Sequence, residues 1–381
     1  MRHSSLIPIQ SRSPRLILTA LVCVLWLSSS FMAGAAGEWK LYRRNGHDYV
    51  SLDNIASFYG LAQAAITVPP PAAPEEVITP VNNRTGFSNG NAEIGIRTGS
   101  REIIINGVRQ WLSFPVTEEN EKLLVSRIDL AKTIEPMLRP QRIGDLKRVE
   151  TVILDPGHGG HDKGATNKLG QEKNYTLDVC RRIKPILEAQ GLNVIMTRDR
   201  DVFIPLNKRP LVANQTPNSI FVSVHFNSGR SHANGFEVFA MTPRGAPSTS
   251  DQVVRTRDYR EEPGNAVDVP SAALASSVYH SMLGHLTQID RGLKRARFAV
   301  IRQATVPSIL VEGGFISNAD EAKQIDDPEW REQLAKSIAA GIVGYKGLSE
   351  LNRPPELMAG YRREKKEETA QKVEPKETSE N

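Results

Sequence analysis

The stretch Thr151-Val152-Ile153-Leu154-Asp155-Pro156-Gly157-His158-Gly159-Gly160 decides how this chain is read. A short apolar run ends abruptly in a carboxylate, a proline and a glycine-rich loop, the pattern of a buried strand emptying into a loop. Downstream the motif recurs with helices between. Helical periodicity covers 172–190, an apolar strand 194–196, a helix 207–214 and a strand 220–224. Strands at 236–239, 299–301 and 309–311 and helices near 271–289 and 328–345 complete the series. Such alternation predicts an α/β fold, a mixed, mostly parallel sheet flanked by helices on both faces. The last helix is the best marked. Asp327 caps it, Pro328 opens it, Trp330, Leu334, Ile338 and Ile342 share one face, and Gly347 lies beyond its expected end. Pro185 is expected to kink the 172–190 helix.

Upstream, 37–140 reads as a small α+β domain, followed by a linker over 141–150 and a catalytic domain over 151–348. Trp39-Lys40-Leu41-Tyr42 and Asp48-Tyr49-Val50 flank an Asn45-Gly46 turn and form a hairpin. Asp53 is expected to cap the short helix after it, with Gly60 ending that helix. Tyr49-Val50-Ser51-Leu52-Asp53-Asn54-Ile55-Ala56 resembles Leu124-Val125-Ser126-Arg127-Ile128-Asp129-Leu130-Ala131, so a strand-to-helix unit is used twice. Strands are expected at 93–96 and 103–105, with Asn106-Gly107 as a turn and a proline-rich loop over 69–80. The tail over 349–381 is expected to stay disordered. Its last twenty residues hold six basic and six acidic side chains and one large aliphatic, Val373.

The 381 residues carry a formal charge of +5, which hints at an anionic partner. Arg2, Arg12 and Arg15 precede an apolar run over 16–32 and then Ala33-Gly34-Ala35-Ala36, the layout of a secretory signal peptide over 1–36. Its removal takes three arginines and no acid, leaving +2, and nothing interleaves aromatic and basic residues. Nucleic acid is therefore excluded as a partner, and no stable membrane insertion is expected after cleavage. The expected location is the periplasm or cell envelope. Without the leader only Cys180 remains, on the apolar side of a helix, as a buried structural thiol.

The chemistry sits where open α/β sheets place it, at the C-terminal ends of strands. His158 comes after the first strand, His225 and Glu312 come after the strands at 220–224 and 309–311, and Glu172 opens the helix beyond the first loop. Two imidazoles and a carboxylate, His158, His225 and Glu172, are a catalytic Zn2+ set. Glu312 is then the general base. Singly, each residue has an ordinary explanation: a turn or core histidine, a first-turn acid, a glutamate paired with Arg302. Jointly, four ionisable groups beside apolar runs are costly without a function.

Ile153-Leu154-Asp155-Pro156-Gly157-His158-Gly159-Gly160, Gln171-Glu172-Lys173, Thr197-Arg198, Ser223-Val224-His225 and Pro307-Ser308-Ile309-Leu310-Val311-Glu312-Gly313-Gly314-Phe315-Ile316-Ser317-Asn318 resemble the zinc-dependent N-acetylmuramoyl-L-alanine amidases of the amidase-3 type, in the same order. The resemblance runs from about Thr151 to Tyr345. It implies zinc on His158, Glu172 and His225, Glu312 as acid/base, and cleavage of the amide between N-acetylmuramic acid and L-Ala in peptidoglycan, for wall remodelling or cell separation. Two alternatives stay open: a zinc peptidase acting within the stem peptide, and an inactive wall-binding regulator. Gly313 stands where that family more often has Thr. The polar segment 241–270 occupies a place where some relatives carry an autoinhibitory insertion, relieved by an activator protein, so such an activator is a candidate partner. The 37–140 domain more loosely resembles the stalk-like domain of copper amine oxidases. No copper is implied, since its single histidine is His47, and a spacer or wall-binding role is expected.

Overall fold

The computed structural model describes residues 39–66, 84–144 and 146–351. The expected leader over 1–36, the proline-rich loop over 69–80 and the charged tail beyond 351 lie outside the described residues.

The N-terminal part is built from hairpins. Strands β1 (Tyr42–Arg44) and β2 (His47–Ser51) turn at Asn45-Gly46, where both residues have positive φ, the form that matches strand twist. Helix α1 (Leu52–Tyr59) comes next, then β3 (Ala62–Gln63), β4 (Thr85–Ser88), β5 (Glu93–Ile96), β6 (Glu102–Ile105) and β7 (Val108–Trp111). Strands β8 (Thr117–Glu119) and β9 (Lys122–Ser126) lead into the short helices α2 (Arg127–Asp129) and α3 (Glu135–Leu138), joined by a π-wound stretch at Leu130–Ile134. The repeated unit is visible: β2 and β9 pair antiparallel, and each ends in a serine whose hydroxyl caps the next helix. Ser51 is the cap, where Asp53 was expected; its Oγ accepts from the Asn54 N–H, while Asp53 sits within the first turn.

The second part runs β10 (Thr151–Pro156), α4 (Glu172–Ala189), β11 (Asn193–Met196), α5 (Arg209–Asn214), β12 (Ser219–Asn227) and β13 (Phe236–Met241). It continues with α6 (Asp268–His285), β14 (Asp290–Ala296), α7 (Ala299–Arg302), β15 (Ser308–Phe315), α8 (Ala319–Asp326) and α9 (Pro328–Leu351). The strand order is β11-β10-β12-β15-β13-β14, with only the β13–β15 pairing antiparallel. Through a β14–β7 pairing the sheet continues into β7-β6-β5-β4-β3, eleven strands in all.

Several local expectations are corrected. Residues 299–301 form α7, not a strand. The missing strand is β14, hidden by its polar sequence Asp290-Arg291-Gly292-Leu293-Lys294-Arg295-Ala296, whose charges pair inside the fold. Helix α9 runs through Gly347 to Leu351, since one glycine costs a helix only about 1 kcal/mol.

Alternation along the central strands separates two faces. Val152, Leu154, Ile220, Val222, Val224, Ile309 and Val311 face the main core under α4, α6 and α9. Ile153, Phe221 and Leu310 face a much smaller core with Ala213 of α5 and Val300 and Ile301 of α7. By the same two-residue period Asp155, Ser223, His225 and Glu312 lie on this second face. It is the thinly covered one, because α5 and α7 are short.

Candidate active site

Four segments bring the expected residues together at the carboxyl edge of the sheet. Glu172 Oε1 lies 3.0 Å from His158 Nε2 and 3.0 Å from His225 Nδ1, and candidate donor atoms of the three residues all fall within 4.8 Å of one another. Asp162 Oδ1 sits 2.9 Å from His158 Nδ1. Donation from Nδ1–H to Asp162 orients the ring and points Nε2 toward Glu172, the nitrogen that would face a bound ion. Three groups converging so closely can each offer an electron pair to a single cation placed among them. Two imidazoles and one carboxylate, with Glu172 Oε1 3.0 Å from a nitrogen of each ring, are a donor set of the kind that suits zinc.

Electrostatics agree with the packing. Burial opposes ionisation of Glu172, yet the His158 and His225 contacts outweigh it and hold its carboxyl well below the usual carboxylate range. Its oxygens also accept from the backbone N–H groups of Ala165 and Phe226. Glycine is required where the rings pass close to the chain. A Cβ on Gly157 would lie 2.3 Å from the His225 ring, and one on Gly164 would lie 2.5 Å from Glu172 Oε2.

The loop that carries His158 is itself held from below. His158 has φ 62, left-handed and uncommon for a side-chain-bearing residue. The guanidinium of Arg209 donates to the carbonyls of Pro156 and His158 and pairs with Asp155 at 2.8 Å. Arg198 donates to the carbonyls of Pro156 and Gly157. Two buried arginines thus fix three successive carbonyls, and with them the direction of the ring.

Glu312 stands on the strand beside His225, in direct register across β12 and β15, and Glu237 of β13 is in register on its other side. Its Oε2 is buried and has no hydrogen-bond partner among the described residues. Burial first, then the charges of Glu172 and Glu237, push its carboxyl well above the usual range. Arg302, considered as its partner from sequence, instead pairs with Glu262. A buried carboxylate oxygen left unpaired beside a cation-shaped cluster is costly unless a ligand meets it.

Sequence reasoning had passed over Asp162, Arg209 and Glu237. Each left a trace: an acid four residues beyond His158, an arginine opening α5, and a glutamate interrupting an apolar strand. His161 lies against Phe203, ring centroids 4.2 Å apart. Cys180 is fully buried. Gly313 packs against Leu334 and Phe226, where a Cβ would lie 2.7 Å from Leu334. No residue of 241–270 hydrogen-bonds or ion-pairs with His158, Glu172, His225 or Glu312 among the described residues.

Replacing Asp162 with Asn should keep the fold and weaken the hold on His158. Metal affinity is expected to fall roughly 10–100-fold, read by titration against a competing chelator.

An α/β sheet with a His–Glu–His cluster at its strand ends defines the class: an α/β protein whose centre can hold one metal ion. The chain belongs to the N-acetylmuramoyl-L-alanine amidase family Amidase_3, whose sequence pattern matches residues 152–343. The N-acetylmuramoyl-L-alanine amidase AmiC of Neisseria meningitidis serogroup B is 35% identical over 247 residues, 59% of this chain and 59% of that protein. The amidase AmiA of Escherichia coli strain K12 is 30% identical over 248 residues, 58% of this chain and 84% of that protein. Of solved structures, the amidase AmiC2 of Nostoc punctiforme is 33% identical with a TM-score of 0.43, covering 51% of this chain and 96% of that one. The match thus spans less than two thirds of the AmiC relative.

Proposed function

We propose that the chain is an exported zinc hydrolase that cleaves the amide between N-acetylmuramic acid and L-alanine in peptidoglycan, in wall remodelling or cell separation. The observation that carries this reading is the convergence of His158, Glu172 and His225 beside the unpartnered carboxylate of Glu312. Membership of the amidase family supports the choice of bond. The three converging residues would hold the ion. Zinc, when bound, supplies Lewis acidity toward the scissile carbonyl and toward water.

The chain's own residues do the rest. Glu312 accepts a proton from the attacking water and passes it to the amide nitrogen as the carbon–nitrogen bond breaks. The products are a lactyl carboxylate on the sugar and a free amine on L-alanine. Asp162 keeps His158 in one tautomer, and Arg198 and Arg209 keep its loop in place. Residues 1–36 direct export to the periplasm or envelope. Residues 37–140 serve as spacer or wall-binding module, joined by 141–150 to the catalytic stretch 151–348; the solvated tail begins beyond Leu351, not at 349 as expected, because α9 continues to Leu351 with Ser349 buried. An activator protein acting on 241–270 belongs to the same reading.

Mass spectrometry of digested cell wall tests it. Zinc-loaded protein is expected to release free stem peptide beginning at L-alanine, chelation to stop release and added zinc to restore it. An internal cut would move the assignment to a stem peptidase, and no product from zinc-loaded protein would leave a wall-binding regulator.

A further inference from the structure

A cleft of about 840 Å³ opens next to the catalytic row. Asn227 and Glu237 form its inner end, joined by a 2.6 Å hydrogen bond, and Glu237 is the strand neighbour of Glu312. The cleft then runs over β14 and α7, with Trp111 of β7 lining it from the N-terminal part. Six cationic side chains line it against three carboxylates.

The wall formed by 248–262 is built. Arg101, from the N-terminal part, donates to the carbonyls of Ser248 and Asp251, and Thr249 exchanges hydrogen bonds with the backbone of Arg295. The three acids are already matched: Glu237 by Arg291 and Lys294, Asp251 by Arg255 and Arg257, Glu262 by Arg302. Arg260 is exposed, lines the cleft and makes no ion pair with a described residue. Arg257 and Arg302 each spend little of their five-donor capacity, in single hydrogen bonds of 3.3 and 3.2 Å. Forked, under-used guanidiniums in a walled cleft suit carboxylates.

We propose that this cleft is the subsite for the acidic stem peptide of the substrate, with Arg260, Arg257 and Arg302 receiving its free carboxylates. The inference rests on the peptidoglycan amidase reading. On that reading the bond to be cut lies at Glu312, and the peptide that continues from it carries carboxylates, while the glycan side is uncharged. Placing the peptide over Asn227 and Glu237 sends it along the cleft.

Binding to the zinc-loaded full chain separates this from catalysis. The probe is the free tetrapeptide L-Ala-D-Glu-diaminopimelate-D-Ala, compared by calorimetry with the same peptide amidated on its D-Glu and diaminopimelate carboxyls. Arg260→Glu is expected to weaken binding of the free peptide roughly tenfold or more. Arg260→Ala, a milder change at an exposed position, should act in the same direction, and Lys323→Ala on α8 should change nothing. The amidated peptide should bind the wild-type chain weakly and respond little to either Arg260 variant. Equal affinity of wild type and Arg260→Glu for the free peptide, equal affinity of the two peptides, or no binding of either would overturn the subsite. Failure of the amidase reading looks different: no stem peptide is released from cell wall. If release occurs and KM is the same for Arg260→Glu and wild type, only the subsite falls.

Discussion

Glu312→Gln is expected to lower turnover on cell wall about 10²–10⁴-fold while leaving the metal content of the protein unchanged. Glutamine copies the shape of the side chain and its reach from β15, so packing beside His225 and Glu237 is preserved. It also removes a buried acidic group that has no partner for Oε2, so the fold loses no interaction it relied upon. The substitution takes away a site that can accept and return a proton. Glu312 is not one of the three residues whose donor atoms converge, which is why metal binding should survive. The check is stem-peptide release measured beside metal content per chain. Turnover within tenfold of wild type would remove Glu312 from the acid/base role.

Asp155→Ala is expected to cost about 3–5 kcal/mol of stability, the penalty for stranding one member of a buried ion pair. The side chains of Asp155 and Arg209 are 0% and 2% exposed. Asp155 also accepts from the hydroxyls of Thr197 and Ser223, so the substitution leaves a buried guanidinium uncompensated and two hydroxyls without an acceptor. Asp155→Asn, which can keep the hydroxyl contacts, should recover only part of the loss. Urea unfolding of the metal-free protein measures this directly, and a loss below about 1 kcal/mol would contradict the assignment. A second consequence separates this pair from an ordinary core contact. Arg209 carries the carbonyls of Pro156 and His158, so metal affinity should fall with stability.

The four candidate site residues were legible because each terminates or opens an element whose period is unmistakable. Apolar runs at 152–154, 220–224 and 309–311 are short enough to be buried strands, and residues just past the carboxyl end of a buried strand in such a fold face the site. The supports were harder to see. Asp162 and Arg209 act on the far nitrogen of a ring or on backbone carbonyls, contacts that no periodicity encodes. Strand β14 was missed for a related reason. Its Arg291 and Lys294 are partly buried against Glu237, so polarity marked pairing where it would ordinarily mark a surface loop. The cap at Ser51 was missed because serine and aspartate are equally good caps two residues apart, and only the backbone angle selects between them.

By itself the sequence determined the α/β alternation, the four candidate site residues and the family resemblance, because local period and residue type are properties of neighbouring positions along the chain. Only the tertiary structure decided that Glu172 reaches both histidines, that Glu312 stands between His225 and Glu237, and that Arg209 holds the loop of His158. Strand order and register bring these groups together across separations of up to 154 residues (His158 to Glu312). Long-range pairing of that kind is set by the packing of the whole core, and no local stretch contains it.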